Sequence, residues 1–469
     1  MPIDQSDPRM CGLAWAAKAI ASGVFITGRE PWDVVRQSCN WMIATDAEIR
    51  AVIEGRGHLD LAERLRIDVD AERRAVTLTL DDEFRGAARH FDGQGCVIVP
   101  DAGSGVEFAP TPVKPDVPDP EGTPWPRGDL LDDSQTSTGI DLGRVDAALD
   151  LLFENLRQHT NATLVVHRGA LVRERYREPF DRESRFESWS MGKSIAASLA
   201  GILIRRGLVD LDAPLPFEEW QSPADARRQI RTRHLLRMSS GLEFTGSQGM
   251  DEDPLVKTQG GKFLDHIYVY AGGVDAFDFS ARKPAEFPPD TLGRYRNCDH
   301  LLLTRLVRDT VRGEGQDFLT WPQRNLFDPL GMAGMVLETD PWGNFLISGH
   351  DYGRPRDWAR LGLLYLQRGA WGGEQLLPDS FVEFVQTPAP AFEEPCYGGF
   401  FWLNRSRTLP TLPEDAYWMA GAGGQRVLIV PSLDLVIVRM GHLAGALAGW
   451  EETLTRACGL LVEAVRGES

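Results

Sequence analysis

Hydrophobic spacing changes character several times along the chain. Residues 12–22 and 46–66 carry apolar positions at the helical period, while AVTLTL (75–80), FRGAARH (84–90) and CVIVP (96–100) read as short strands. Between Ala109 and Asp133 the periodicity stops. APTPVKPDVPDPEGTPWPRGD stacks prolines and charges with few residues able to fill a core, which predicts an extended, partly polyproline linker. Beyond it, RVDAALDLLFENLRQ (144–158) is helical, and ATLVVHRG (162–169) with ALVRERYRE (170–178) reads as a hairpin. Near the far end FFWLNRS (400–406), QRVLIV (425–430) and LDLVIVRM (433–440) are strands, followed by an amphipathic helix over about 447–466.

Strands bracketed in sequence by helices predict an antiparallel sheet covered by those terminal helices, with a mostly helical insertion between about 190 and 390. The expected organisation is a small α+β accessory unit (1–108), a linker (109–139) and an α/β (α+β) domain (140–469). The accessory unit carries no catalytic motif.

At 469 residues and 42% hydrophobic content the chain can bury a large core. Its formal charge of −18, without a long basic run, disfavours nucleic acid and anionic membranes as partners and leaves a small-molecule substrate as the expectation. Six cysteines (11, 39, 96, 298, 396, 458) are far apart and form no CxxC pair, so buried thiols are expected. The acidic run Asp251, Glu252, Asp253 has no histidine at useful spacing and reads as solvated; neither metal nor organic cofactor is expected. The apolar stretch Cys11 to Ile26 is interrupted by Lys18 and lacks a basic leader, so a cytoplasmic location is the default.

Candidate chemistry enters at ESWSMGKSIAASLAGILIRRG (187–207). Ser190-Met191-Gly192-Lys193 is an S-x-x-K tetrad opening an apolar helix whose C-cap is Gly207. Residues three apart share a helical face, which sets Lys193 one turn behind Ser190. Burial favours a neutral lysine able to accept the serine proton, and the helix N-terminus favours developing negative charge. A capping serine with a snorkelling lysine is the structural alternative. Ser280-Ala281-Arg282-Lys283 matches the same pattern, but Pro284 follows at once, and that copy reads as loop.

Tyr295-Arg296-Asn297, the only Y-x-N among eight tyrosines, precedes a helix-like run. Its phenol can relay a proton and its amide can orient Lys193 or a carbonyl; a buried tyrosine with a capping asparagine is the alternative. MAGAGGQRVLIV (419–430) is glycine-rich and leads into a strand, so the Ala422 N–H can serve beside that of Ser190 as an oxyanion donor, or the segment is a plain hairpin turn. His234 and His442 read as structural, and no G-x-S-x-G elbow occurs. The segment from about Glu243 to Pro289, including FLDHIYVYAGG (263–273), reads either as a substrate wall or as a surface excursion.

Taken in order, the tetrad, Y-x-N and glycine-rich strand resemble the serine β-lactamase and penicillin-binding-protein superfamily. The chain is most similar to its class C β-lactamase-like branch, with 6-aminohexanoate-dimer hydrolases and family VIII-type esterases; HLLRMSSGL (234–242), LFDPLGM (326–332), RDWARLGLLYLQRG (356–369) and VIVRMG (436–441) also fit. The resemblance spans about 140–466. It implies Ser190 as nucleophile, Lys193 as general base, Tyr295 as second acid/base, Asn297 as positioning residue and Ala422 with Ser190 as oxyanion hole. Where β-lactamases and D-Ala-D-Ala peptidases carry Lys-Thr-Gly or His-Thr-Gly, this chain has Met419-Ala420-Gly421. The expectation is therefore an ester or amide hydrolase acting on small non-β-lactam substrates. A D-amino-acid peptidase or β-lactamase and a catalytically silent binding protein of the same fold remain the alternatives.

Overall fold

The computed structural model describes residues 2–53, 61–131, 139–246, 257–442 and 450–467. The acidic run 251–253 lies outside them. In the N-terminal unit, helix α1 (Pro8–Phe25) starts at an Asp7 cap, whose carboxylate accepts from the Met10 N–H, with Pro8 in the first turn. Cys11 through Gly23 are buried on every side, so α1 is an internal helix rather than a surface one. Strands β1 (Leu65–Asp70), β2 (Ala75–Leu80), β3 (Phe84–Phe91) and β4 (Gly95–Val99) form an antiparallel meander packed on it.

The helix expected over 46–66 is corrected here. It is described over Asp46–Ile53, and Leu65 and Arg66 already belong to β1, whose L-R-I-D-V-D alternation has the strand period of two. Among the described residues no regular element spans the proline-rich segment, yet it is docked. Trp125 is buried beneath the Arg360 guanidinium (4.9 Å), and Asp129 pairs with Arg360 (2.6 Å) and Arg356 (3.4 Å).

Helix α2 (Leu142–Glu154) leads into β5 (Thr160–His167) and β6 (Ala170–Tyr176). The middle of the chain is helical: α3 (Gly192–Arg205), α4 (Asn297–Gly313) and α5 (Pro355–Leu366) are its longest elements, and its described strands have three residues at most. Strands β7 (Trp402–Leu403), β8 (Tyr417–Gly421), β9 (Gln425–Val430) and β10 (Leu435–Gly441) complete a six-stranded antiparallel sheet of order β7-β8-β9-β10-β5-β6, and α6 (Trp450–Arg466) ends the chain. Alternation along β8 to β10 gives the sheet two apolar faces. Val165, Leu428, Val430 and Ile437 pack under α2 and α6, while Val427, Ile429, Val436 and Val438 join the main core with α5.

Two strand expectations change. The strand read over 400–406 stops at Leu403, because the Asn404 amide turns inward to the carbonyls of Leu409, Leu412 and Pro413 and bends the chain into a 3-10 turn. Part of the glycine-rich segment is itself strand β8, carried by Tyr417, Trp418 and Met419 before the glycines begin. Among the described residues no helix is long and apolar enough to cross a membrane. Five of the six cysteines are buried, Cys396 is half-buried, and all are free.

Candidate active site

The short strand Phe186–Glu187 delivers the chain to Ser188, whose N–H donates to the Asp351 carbonyl at 3.0 Å and whose hydroxyl donates to the Asp351 carboxylate. Trp189 then takes a left-handed φ of 51°, and the 3-10 turn Trp189–Met191 runs into α3. This sharp entry sets Ser190 at the helix head. Gly192 is needed because a Cβ there would lie 2.2 Å from Asp351 Oδ1 and 2.8 Å from the Ile347 carbonyl oxygen.

Lys193, 1% exposed, donates through Nζ to Ser190 Oγ at 3.0 Å. Its ammonium pKa falls from 10.5 to about 7 because burial strips its hydration; the nearby Asp351 carboxylate opposes the fall without reversing it. The amine therefore has a substantial unprotonated share at neutral pH. Asp351 itself is pushed up to about 8, first by burial, against the Ser188 hydrogen bond and Lys193.

Tyr295 arrives from the segment just ahead of α4. Its ring lies 4.8 Å beneath Lys193 Nζ and is wedged against Trp402 (5.4 Å) and Tyr397 (5.8 Å). Burial raises the phenol above its ordinary value, with the Ser190 contact and Arg426 pulling the other way, so it stays protonated at neutral pH. Asn297 opens α4. Its Nδ2 donates to the His266 carbonyl at 2.5 Å, and its buried Oδ1 makes no hydrogen bond among the described residues. Ser190, Lys193 and Tyr295 thus meet, while the Asn297 amide is turned to the His266 carbonyl.

Ala422 begins the 3-10 turn that joins β8 to β9. The preceding strand lies so close to the Ser190 turn that a Cβ on Gly421 would sit 2.0 Å from the Ser188 carbonyl oxygen. Arg439 on β10 holds the Gly423 carbonyl at 2.7 Å and fixes that turn; burial first, and then the neighbouring Arg426, lowers its pKa to about 9. Met419 is fully buried in the main core. Across the register from Ala420, Arg426 is occupied by the Gly421 and Gln425 carbonyls and lies 3.5 Å from Glu451.

Ser280 does not lie in a loop as expected: it is in a short helix, Ala276–Ala281, where its hydroxyl bonds the Ala276 carbonyl, and Lys283 pairs with Asp265 at 2.8 Å. His234 accepts the Arg231 N–H, and His442 is stacked on Phe186 at 4.7 Å and held neutral by burial.

Several residues around Ser190 escaped the sequence. Tyr270 donates to the Ser348 carbonyl at 2.9 Å, the same carbonyl that the Ser190 hydroxyl reaches at 3.3 Å. His266, whose ring lies 6.3 Å from Tyr295, is pushed down to about 3, by burial first and then by Lys193. Tyr270 and His266 lie on the helix Asp265–Ala271, inside the expected wall segment, of which residues 247–256 lie outside the described chain. Asp351 had one signal, Gly192, since a glycine at a helix start asks for a close neighbour without naming it.

An antiparallel sheet between terminal helices, joined to a helical subdomain, is the architecture of a serine hydrolase of the β-lactamase-like class. The beta-lactamase family model matches residues 149–454, and the chain belongs to that family. An uncharacterized protein of Alkalihalophilus pseudofirmus is 23% identical over 323 residues, covering 62% of this chain and 85% of its own. A Bacillus anthracis protein named as a candidate 6-aminohexanoate-dimer hydrolase has the same fold, with a TM-score of 0.54 at 19% identity over 68% of this chain and 82% of that one. A family VIII carboxylesterase superposes with a TM-score of 0.51 at 15% identity, covering 69% and 98%.

Proposed function

We propose that the protein cleaves ester or amide bonds of small, non-β-lactam substrates through an acyl-enzyme on Ser190. The observation that carries this reading is the 3.0 Å contact between Ser190 Oγ and a buried Lys193 whose pKa is brought down to about 7. Ser190 Oγ attacks the substrate carbonyl and passes its proton to Lys193 Nζ. The tetrahedral oxyanion takes hydrogen bonds from the backbone N–H groups of Ser190 and Ala422. Tyr295, protonated and with its ring beneath Lys193 Nζ, gives a proton to the leaving alcohol or amine and regains one from Lys193. Water then attacks the acyl ester by the reverse proton path. The Asn297 amide orients the substrate carbonyl or Lys193.

Small neutral substrates are favoured because the strand beside the site presents Met419 in the core and Ala420, with no lysine or hydroxyl to hold a carboxylate, and Arg426 is already engaged. Charge-assisted bonds to such a carboxylate are about twice as strong as neutral ones. The named hydrolytic activities of the structural neighbours, an aminohexanoate-dimer hydrolase and a carboxylesterase, are consistent with this chemistry. The test is hydrolysis of p-nitrophenyl butyrate by the protein and by Ser190→Ala, with intact mass after acid quench. Activity and an acyl adduct that both vanish in the variant support the reading; equal behaviour of the two proteins overturns it.

A further inference from the structure

We infer that Trp15, in the N-terminal helix α1, is a positioning residue for the nucleophile turn. The inference rests on the Ser190 reading above. Trp189, immediately before Ser190, sits in the left-handed region at φ 51°. A bulky residue stays in that conformation only where its surroundings over-determine it. One of the two ring partners that surround it comes from α1.

The Trp15 ring, 1% exposed, packs edge-on against Trp189 with centroids 6.2 Å apart and planes at 77°. Its Nε1–H donates to His350 Nε2 at 3.1 Å, and the His350 ring lies 6.5 Å from that of Trp189. Burial pushes His350 down to about 4, so the imidazole is neutral; with Nε2 accepting, the proton sits on Nδ1, 3.4 Å from Glu338 Oε2. Glu338 is fixed in turn by Lys18 Nζ at 2.9 Å, Ser22 Oγ at 2.7 Å and the Cys96 N–H at 2.7 Å. Trp15, Lys18 and Ser22 follow the i, i+3, i+7 spacing of one helix face. A single face of α1 therefore orients both partners of Trp189.

A second route leads from the same ring. Trp15 lies 5.9 Å from Tyr270, whose hydroxyl donates to the Ser348 carbonyl at 2.9 Å. That carbonyl is 3.3 Å from Ser190 Oγ. Trp15 touches neither Ser190 nor Lys193; it acts through Trp189 and through Ser348. The matched family region begins at residue 149, so this brace comes from outside it.

The test uses the full-length protein with Trp15→Leu and Trp15→Phe, reading kcat and KM for p-nitrophenyl butyrate, the second-order labelling rate of Ser190 by a fluorophosphonate, and the thermal midpoint. Misplacing the nucleophile lowers kcat and labelling by at least about tenfold in Trp15→Leu, while KM stays within about twofold. Trp15→Phe keeps a ring against Trp189 but loses the bond to His350, and falls between the leucine variant and wild type. Trp220→Leu, equally buried but packed on Phe217 and bonded to Ala281, lowers the thermal midpoint and leaves the labelling rate of the folded fraction unchanged. A folded Trp15→Leu that labels at the wild-type rate overturns the inference. If that variant does not fold, Trp15→Phe decides: a reduced rate supports the brace and a wild-type rate overturns it. Wild type that is not labelled, or labelling that survives Ser190→Ala, would instead remove the Ser190 reading on which the inference stands.

Discussion

Replacing Lys193 by methionine is expected to make the protein more stable at neutral pH while abolishing turnover. The side chain is 1% exposed, and among the described residues its one hydrogen bond runs to Ser190 and none to a carboxylate. The fall of its pKa from 10.5 to about 7 measures how strongly the site disfavours the charged form. At 1.36 kcal/mol per tenfold change in proton affinity, that is on the order of 5 kcal/mol. Methionine fills a similar volume without the charge and forfeits a hydrogen bond of about 1–2 kcal/mol, leaving a net gain on the order of 3 kcal/mol. Unfolding followed by circular dichroism at a series of pH values reads it. Between about pH 7 and the ordinary lysine value the unfolded wild-type chain holds a proton that the native protein lacks, so wild-type stability rises with pH across that window. The methionine variant lacks this contribution. Its advantage is therefore largest at and below pH 7 and shrinks as pH rises toward 10. A variant that is less stable than wild type at pH 7, or whose difference from wild type does not change with pH, would refute a lysine held in a dry site against its hydration.

Two further outcomes follow from the same geometry. With Lys193 as base, kcat/KM for p-nitrophenyl butyrate rises with pH through a midpoint near 7 and levels off above it; a pH–rate series checks the direction, and a rate that is flat or falls across that midpoint would refute it. Gly192→Ala forces a methyl group to within 2.2 Å of Asp351 Oδ1, so the variant unfolds in urea at a lower midpoint, by about 1–3 kcal/mol; a midpoint equal to wild type would show that Asp351 is free to retreat.

Elements whose own residues carry the period were legible. Strands over 75–80 and 425–430 occur at the expected residues because alternation and β-branched composition act locally, and α2 differs from expectation only at its ends and α6 follows it over the described residues. Expectations failed where a distant contact outweighed local preference. Asn404 ends β7 by turning its amide to three backbone carbonyls, whereas Leu65 and Arg66 carry the strand alternation in their own sequence, which the helix expected before them overran. The Ser190–Lys193 contact was legible because a helix fixes residues three apart on one face. Asp351, Ser348 and Tyr270 were not, since each reaches the Ser190 turn from another part of the chain and no local spacing encodes that meeting.

The same distinction bears on the N-terminal unit, where α1 shows why a motif-free segment need not be accessory in the physical sense. Its sequence offered an apolar stretch interrupted by a lysine, a charge that a buried helix must pair. The structure resolves the conflict by placing Glu338 opposite it, with the carboxylate held down to about 2: burial alone would raise it, and Lys18, His350 and Ser22 overcome that. A charge pair this deep is costly to desolvate and is weak evidence for stability, so its value has to be sought in what it orients. What it orients is His350, and through it the ring of Trp15 beside the peptide that precedes Ser190. The dry environment that pulls Lys193 toward neutrality and the strained turn that presents Ser190 both depend on walls being in place before substrate arrives. One of those walls is contributed by residues more than 160 positions upstream of the nucleophile, from a helix whose hydrophobic pattern is continuous with a core and whose sequence alone gives no reason to connect it with chemistry.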